Sequence, residues 1–93
     1  MRILKSLSII VHGKVQGVGF RYFALQLALE NEITGWVKNM DDGSVEIEAV
    51  GDEHQLEKFI FNLEKGNRFT KVENLQINDI TVKKRHKSFK VKY

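Results

Sequence analysis

Apolar residues along this chain recur either at every second position or at every third or fourth, and the order in which these two periods follow one another leaves few folds open. Over residues 5–11, Leu7, Ile9 and Val11 share one face of a strand. From Phe20 to about Ile33, the positions Phe20, Phe23, Ala24, Leu27 and Ala28 fall at helical spacing, and Gly35 is placed to stop that helix. Residues 35–40 and 44–50 are strand-like and are joined by Asp41-Asp42-Gly43, whose Asp-Gly pair marks a tight hairpin. Asp52 is suited to cap a second helix, with Gln55 completing the cap and Leu56, Phe59, Ile60 and Leu63 striping one face as far as Lys65-Gly66. Residues 72–82 read as a strand whose apolar register shifts between Leu75/Ile77 and Ile80/Val82, which places a bulge near Asp79. Phe89, Val91 and Tyr93 alternate in a short final strand.

The order predicts an α+β, ferredoxin-like split βαβ (β-α-β-β-α-β) sandwich: an antiparallel sheet with two helices on one face and a short extra C-terminal strand. A chain of 93 residues has surface enough to bury one core, so residues 1–93 are expected to form a single domain. This plan serves enzymes, RNA-binding modules and ligand sensors alike, so function has to be read from a site.

Composition narrows the chemistry. The chain has no cysteine, which excludes disulfides, thiolate metal ligands and thiol catalysis. No pair of histidines or carboxylates stands at metal-ligand spacing, and neither metal nor cofactor is expected. Charge interrupts Met1-Arg2-Ile3-Leu4-Lys5-Ser6 too soon for a signal-peptide apolar core, and no apolar run approaches membrane-spanning length, so a cytoplasmic location without membrane contact is expected. The net charge of +3 comes from the C-terminus, where Lys83, Lys84, Arg85, Lys87, Lys90 and Lys92 occur without an acid. A solvated edge strand explains that run without any polyanionic partner.

The first strand runs into Gly13-Lys14-Val15-Gln16-Gly17-Val18-Gly19, which can propagate neither period and must turn the chain into the helix. A glycine-rich turn of this kind can aim backbone N–H groups at one point, where the positive end of the helix adds to them and an anion can be held. Neither the P-loop nor the dinucleotide fingerprint is matched. Arg21 lies in the first turn of the helix, where the helix dipole disfavours a cation; a bound anion would offset that cost, and the planar guanidinium can take two phosphate oxygens together. A solvated surface arginine is the alternative reading, as a turn-capping amide is for Asn39.

Residues 11–21, Val11-His12-Gly13-Lys14-Val15-Gln16-Gly17-Val18-Gly19-Phe20-Arg21, resemble the first signature of the acylphosphatase family. Gly35-Trp36-Val37-Lys38-Asn39, followed by Asp42-Gly43-Ser44-Val45 and Gly51, resembles the second signature at its expected spacing. The resemblance implies a hydrolase that converts an acyl phosphate into a carboxylate and inorganic phosphate. It further implies that the phosphate is bound by the backbone of Lys14, Val15, Gln16, Gly17, Val18 and Gly19 together with Arg21, and that Asn39 positions the attacking water. Arg21 and Asn39 are then the catalytic residues, with a small-molecule acyl phosphate as partner and no metal or cofactor. The loop Gly66-Asn67-Arg68-Phe69-Thr70 departs from relatives, which often carry proline there.

His12 adjoins the loop and is the one histidine placed to be tested as a base, although a structural role is the commoner one for such a histidine. Trp36 stands beside the expected site or packs in the core. Two other readings compete. An RNA-binding module of the same plan would need paired aromatics on its central strands, and Val45-Glu46-Ile47-Glu48-Ala49 offers carboxylates instead, so no nucleic acid is expected. A non-catalytic phosphate or metabolite sensor would have no use for a water-positioning amide. A monomer is expected, since each large apolar residue has a place in the proposed core.

Overall fold

A computed structural model describes residues 3–17, 19–81 and 86–93. Its elements are β1 (Leu4–Lys14), α1 (Phe20–Glu30), β2 (Thr34–Asn39), β3 (Val45–Asp52), α2 (Glu53–Lys65), β4 (Lys71–Asp79) and β5 (Phe89–Lys92). The sheet order is β4-β1-β3-β2-β5, with every pairing antiparallel except β5, which runs parallel to β2. The ferredoxin-like plan therefore holds, and the extra strand extends it on the β2 edge as a parallel addition. Parallel pairing follows from the long return: the chain leaves β4 at the opposite edge and crosses to β2 before pairing.

Strict alternation builds the core. Leu7, Ile9 and Val11 of β1, Val37 of β2 and Val45, Ile47 and Ala49 of β3 all point to one face of the sheet and are buried there. Phe20, Ala24, Leu27 and Ala28 of α1 and Leu56, Phe59 and Leu63 of α2 meet them. Phe59 packs edge-on against Phe89 with ring centroids 6.1 Å apart, which ties α2 to the added strand.

α2 begins with the expected capping box: the Gln55 N–H donates to Asp52 Oδ1 at 2.8 Å, and Gln55 Oε1 accepts from the Asp52 N–H at 3.1 Å. α1 stops at Glu30, earlier than its apolar spacing suggests. Asn31 caps it, with both its backbone N–H and its side-chain amide donating to the Leu27 carbonyl, so a polar side chain competes successfully with a further helical turn. Glu32 then takes a left-handed φ of 56°.

Two expectations about the fourth strand are corrected. The strand ends at Asp79, after which the Ile80 N–H donates to the Ser6 carbonyl at 2.9 Å; Val82 lies outside the described residues. The register break is not near Asp79 but opposite His12 and Gly13, which pair with Asn74 and Val72 and leave Glu73 between them. The shift in apolar register instead reflects the strand's end. The loop before β4 closes on itself without proline, because Asn67 Oδ1 accepts from the Phe69 N–H and Thr70 Oγ1 accepts from the Asn67 N–H.

The core does not absorb every large apolar side chain, contrary to the sequence expectation: Leu29, Phe61, Phe69 and Ile77 are exposed, as are Tyr22 and Tyr93. Phe61 and Phe69 carry cations over their rings, Lys65 at 4.8 Å and Arg68 at 5.3 Å. Of the basic C-terminal run, residues 83–85 lie outside the described residues, while Lys90 and Lys92 are exposed along the edge strand β5, as a solvated edge requires.

Candidate active site

Gly13 is part of β1 rather than of a loop, and its backbone has φ +132°. A Cβ there would lie 2.0 Å from the Lys71 carbonyl oxygen, so this glycine is required by the close passage of β4 and not by a ligand. Lys14 likewise ends β1, paired with Lys71. The turn proper begins at Val15, whose side chain is buried in the core and pins the loop from below. Gly17 and Gly19 follow at φ 74° and 76° with open space where a Cβ would be, so these two are demanded by backbone conformation alone. Left-handed residues at this spacing let successive N–H groups turn toward one side. Val18 lies outside the described residues.

α1 starts from Gly19 with no side-chain cap and no acid in its first turn, whereas α2 has both. Its first backbone bond is from the Phe23 N–H to the Gly19 carbonyl, at 3.0 Å, so the N–H groups of Phe20, Arg21 and Tyr22 precede the helical ladder. The positive end of the helix is thus left open beside the glycines.

A cavity of about 170 Å³ sits here, lined by Val15, Gly17, Gly19, Phe20, Arg21, Tyr22 and Asn39. Asn39 reaches it from the last position of β2, on the face it shares with buried Val37. Its Oδ1 is buried and, among the described residues, has no hydrogen-bond partner. Arg21 is held from behind by the C-terminal strand: Nη1 donates to the Lys92 carbonyl at 3.0 Å, and the guanidinium carbon stands 4.5 Å from the centre of the Tyr93 ring. The Tyr93 hydroxyl in turn bonds to the Tyr22 hydroxyl at 2.8 Å. That bond, together with the nearby phenol, raises the Tyr22 pKa above its ordinary value, with the Arg21 charge opposing in part.

Gln16 does not line the cavity. Its side-chain amide donates to the carbonyl oxygens of Met40 and Ser44, at 2.7 and 2.8 Å, and so bolts the loop to the hairpin turn that follows Asn39. That turn is further closed by Asp42 Oδ1, which accepts from both the N–H and the hydroxyl of Ser44.

The structure therefore brings Val15, Gly17, Gly19, Arg21 and Asn39 together, sets Gln16 behind them and leaves Lys14 on the strand. His12 is not at the cavity: it hydrogen-bonds Gln76 across to β4, on the open face of the sheet. Trp36 is on that face too, half-buried with Lys92 Nζ 4.5 Å from its ring centre, and is neither core nor cavity lining. No carboxylate or imidazole lines the cavity among the described residues.

Residues 7–91 match the acylphosphatase family model, a span that includes every lining residue. The chain belongs to the acylphosphatase family. An acylphosphatase of Clostridium acetobutylicum is 53% identical over 83 residues, 89% of this chain and 91% of that one. One from Geobacillus thermodenitrificans is 46% identical over 90 residues, 97% and 96% of the two chains. The crystal structure of the acylphosphatase from Bacillus subtilis superimposes with a TM-score of 0.91 at 42% identity, covering 98% of this chain and 100% of that one. Family membership and the fold thus agree with the resemblance read from residues 11–51.

Sequence reading missed the parts of this acylphosphatase-family site that arrive from elsewhere. Tyr22 could have been found, because it occupies the same first helical turn as Arg21. Lys92 and Tyr93 carry no local signal, being at the far end of the chain, and the side chain of Gln16 was overlooked in favour of its backbone.

Proposed function

We propose that this chain, an acylphosphatase-family hydrolase, cleaves acyl phosphates by direct in-line attack of water on phosphorus. In this reading the phosphoryl group rests against Arg21 and the backbone amides of residues 14–19, with Val15, Gly17 and Gly19 nearest, and Asn39 orients the water. The observation that carries it is the buried Asn39 Oδ1, unpartnered among the described residues, in the same cavity as Arg21 and the glycines. An unsatisfied buried acceptor costs about 1–3 kcal/mol, which folding alone gives no reason to retain and a bound water would relieve.

A carboxamide cannot remove a proton, so the water is oriented rather than deprotonated by Asn39. An acyl phosphate tolerates this. Its leaving group is a carboxylate whose acid has a pKa near ~4, so the departing oxygen needs no proton from the enzyme. In a loose transition state the nucleophile bonds weakly to phosphorus, leaving positioning and charge stabilisation as the main tasks. The Arg21 guanidinium, set by Lys92 and Tyr93, supplies the charge; the water's proton passes to a phosphate oxygen, and no phosphoenzyme forms. Neither metal nor cofactor is required for any of these steps.

We further propose that residues 1–93 act as one unit, a cytoplasmic monomer without membrane or nucleic-acid partner. Glu46 and Glu48 stand along the open face of β3, where an RNA-binding module of this plan needs aromatic residues.

Release of inorganic phosphate from benzoyl phosphate, with a chelator present, tests this reading on the native chain, Arg21→Lys, Arg21→Ala and Asn39→Ala. Rapid release by the native chain alone is expected, with Arg21→Lys weakened in both binding and turnover because it loses the planar fork. Full activity in Asn39→Ala, or unchanged phosphate affinity in Arg21→Ala, would remove the role assigned to that residue. No release by the native chain would leave a phosphate-binding domain.

A further inference from the structure

The cavity that would hold the phosphoryl group is small, about 170 Å³ against the roughly 300–1,000 Å³ of pockets that enclose a drug-sized molecule, so the acyl group is expected to lie toward its rim. What it meets there is sought among the seven lining residues that are described, Val18 lying outside them. Val15 and Phe20 are each 1% exposed and belong to the core. Gly17 and Gly19 have no side chains, and Arg21 and Asn39 are polar and already engaged with the phosphate and water. Tyr22 remains, a large ring that is 58% exposed and packs into no core.

Nor is that ring free to swing. Its hydroxyl is held by the Tyr93 hydroxyl at 2.8 Å, and the Tyr93 ring carries the Arg21 guanidinium 4.5 Å from its centre. A continuous wall therefore runs from the phosphate-binding cation through Tyr93 to Tyr22. A tethered tyrosine offers a flat contact surface at low entropic cost, since little freedom is left for a ligand to remove.

We propose that Tyr22, held in place by Tyr93, is the acyl subsite, and that it selects substrates whose acyl group is aromatic or broadly apolar over short acyl groups that cannot reach it. The proposal rests on the hydrolytic reading above. Tyr22 touches the leaving portion of the substrate and takes no part in proton movement, so its effect belongs in substrate affinity rather than in the chemical step.

The test is the ratio of kcat/KM for benzoyl phosphate to that for acetyl phosphate, measured for the native chain, Tyr22→Ala, Tyr22→Phe and Tyr93→Phe. The native ratio is expected to exceed one and to fall about five- to ten-fold in Tyr22→Ala, carried by KM for benzoyl phosphate, the scale of one lost aromatic contact. Tyr22→Phe and Tyr93→Phe keep the ring but lose the hydroxyl bond, and are expected to lower the ratio partway, by less than Tyr22→Ala. Using a ratio removes any general damage to the cavity, since such damage lowers both substrates alike. An unchanged ratio in Tyr22→Ala overturns the subsite while leaving the hydrolytic reading standing, as does a loss in Tyr22→Phe equal to that in Tyr22→Ala. Absence of hydrolysis of either substrate by the native chain overturns both.

Discussion

The side-chain amide of Gln16 donates to the carbonyl oxygen of Met40, the residue immediately after Asn39, at 2.7 Å. The same nitrogen donates to the Ser44 carbonyl at 2.8 Å, so a single amide clamps both ends of the hairpin turn to the glycine-rich loop. The loop after β1 and Asn39 at the end of β2 are thereby held in one frame. Gln16→Ala is expected to lower stability by about 0.5–1.5 kcal/mol, the net worth of a lost hydrogen bond, since the Met40 and Ser44 carbonyls keep the N–H groups of Gly43 and Met40 as partners. It should also reduce kcat, because Asn39 and the loop no longer keep a fixed separation. Urea unfolding alongside phosphate release separates the two effects; a destabilised variant with native kcat would make Gln16 purely structural.

Asn39→Ala should divide function from stability in the opposite sense. Removing a buried acceptor that lacks a partner relieves a penalty, so the variant is expected to melt no lower than the native chain, while kcat falls by about 10²-fold or more, as for other removed positioning groups. Thermal unfolding and turnover on the same preparations decide it. A large loss of Tm would show that the carboxamide serves the fold after all.

The glycines of the first signature should fail in different ways. Gly13→Ala drives a methyl into the Lys71 carbonyl and is expected to displace β4, with a stability loss exceeding the ~1–2 kcal/mol of left-handed strain alone. Gly17→Ala meets no atom and should lose about that strain energy and no more, yet weaken inhibition by inorganic phosphate as the loop relaxes away from φ 74°. Equal destabilisation of the two variants would contradict the separate reasons assigned to them.

Asp42 gives the fold an acid dependence. The Ser44 hydroxyl, and after it the Ser44 N–H, hold the Asp42 carboxyl below the usual carboxylate range, with His12 a minor contributor. A group whose pKa is depressed by folding contributes stability that is fully present above its unfolded value, about 3.9, and is lost as pH falls through the lower folded value. Acidification below about pH 4 should therefore cost the native chain more stability than it costs Asp42→Asn, whose neutral amide can still accept the same bonds but does not titrate. Urea midpoints followed from neutral to acid pH provide the check, and parallel curves for the two proteins would be evidence against it.

Element types were legible in the sequence because strand and helix periods are short-range: Leu7, Ile9 and Val11 alternate whatever else the chain does, and the Asp52–Gln55 box needs only its own helix turn. The phosphate loop, Arg21 and Asn39 were legible for a related reason, since the two signatures that resemble the acylphosphatase family are contiguous stretches. What lay beyond reach depended on register and on which strands become neighbours. Gly13 looked like a ligand-binding glycine until β4 was seen to pass within contact of it. Trp36 was expected beside the site or in the core, but alternation along β2 sends it to the face opposite Asn39 once Val37 is fixed in the core. The contact between Arg21 and Lys92 spans 71 positions and exists only because β5 pairs in parallel with β2. A local pattern determines what each segment is, because its causes act within a few residues; which distant residue stands behind Arg21 is decided by the packing of the whole sheet, and no segment contains that information by itself.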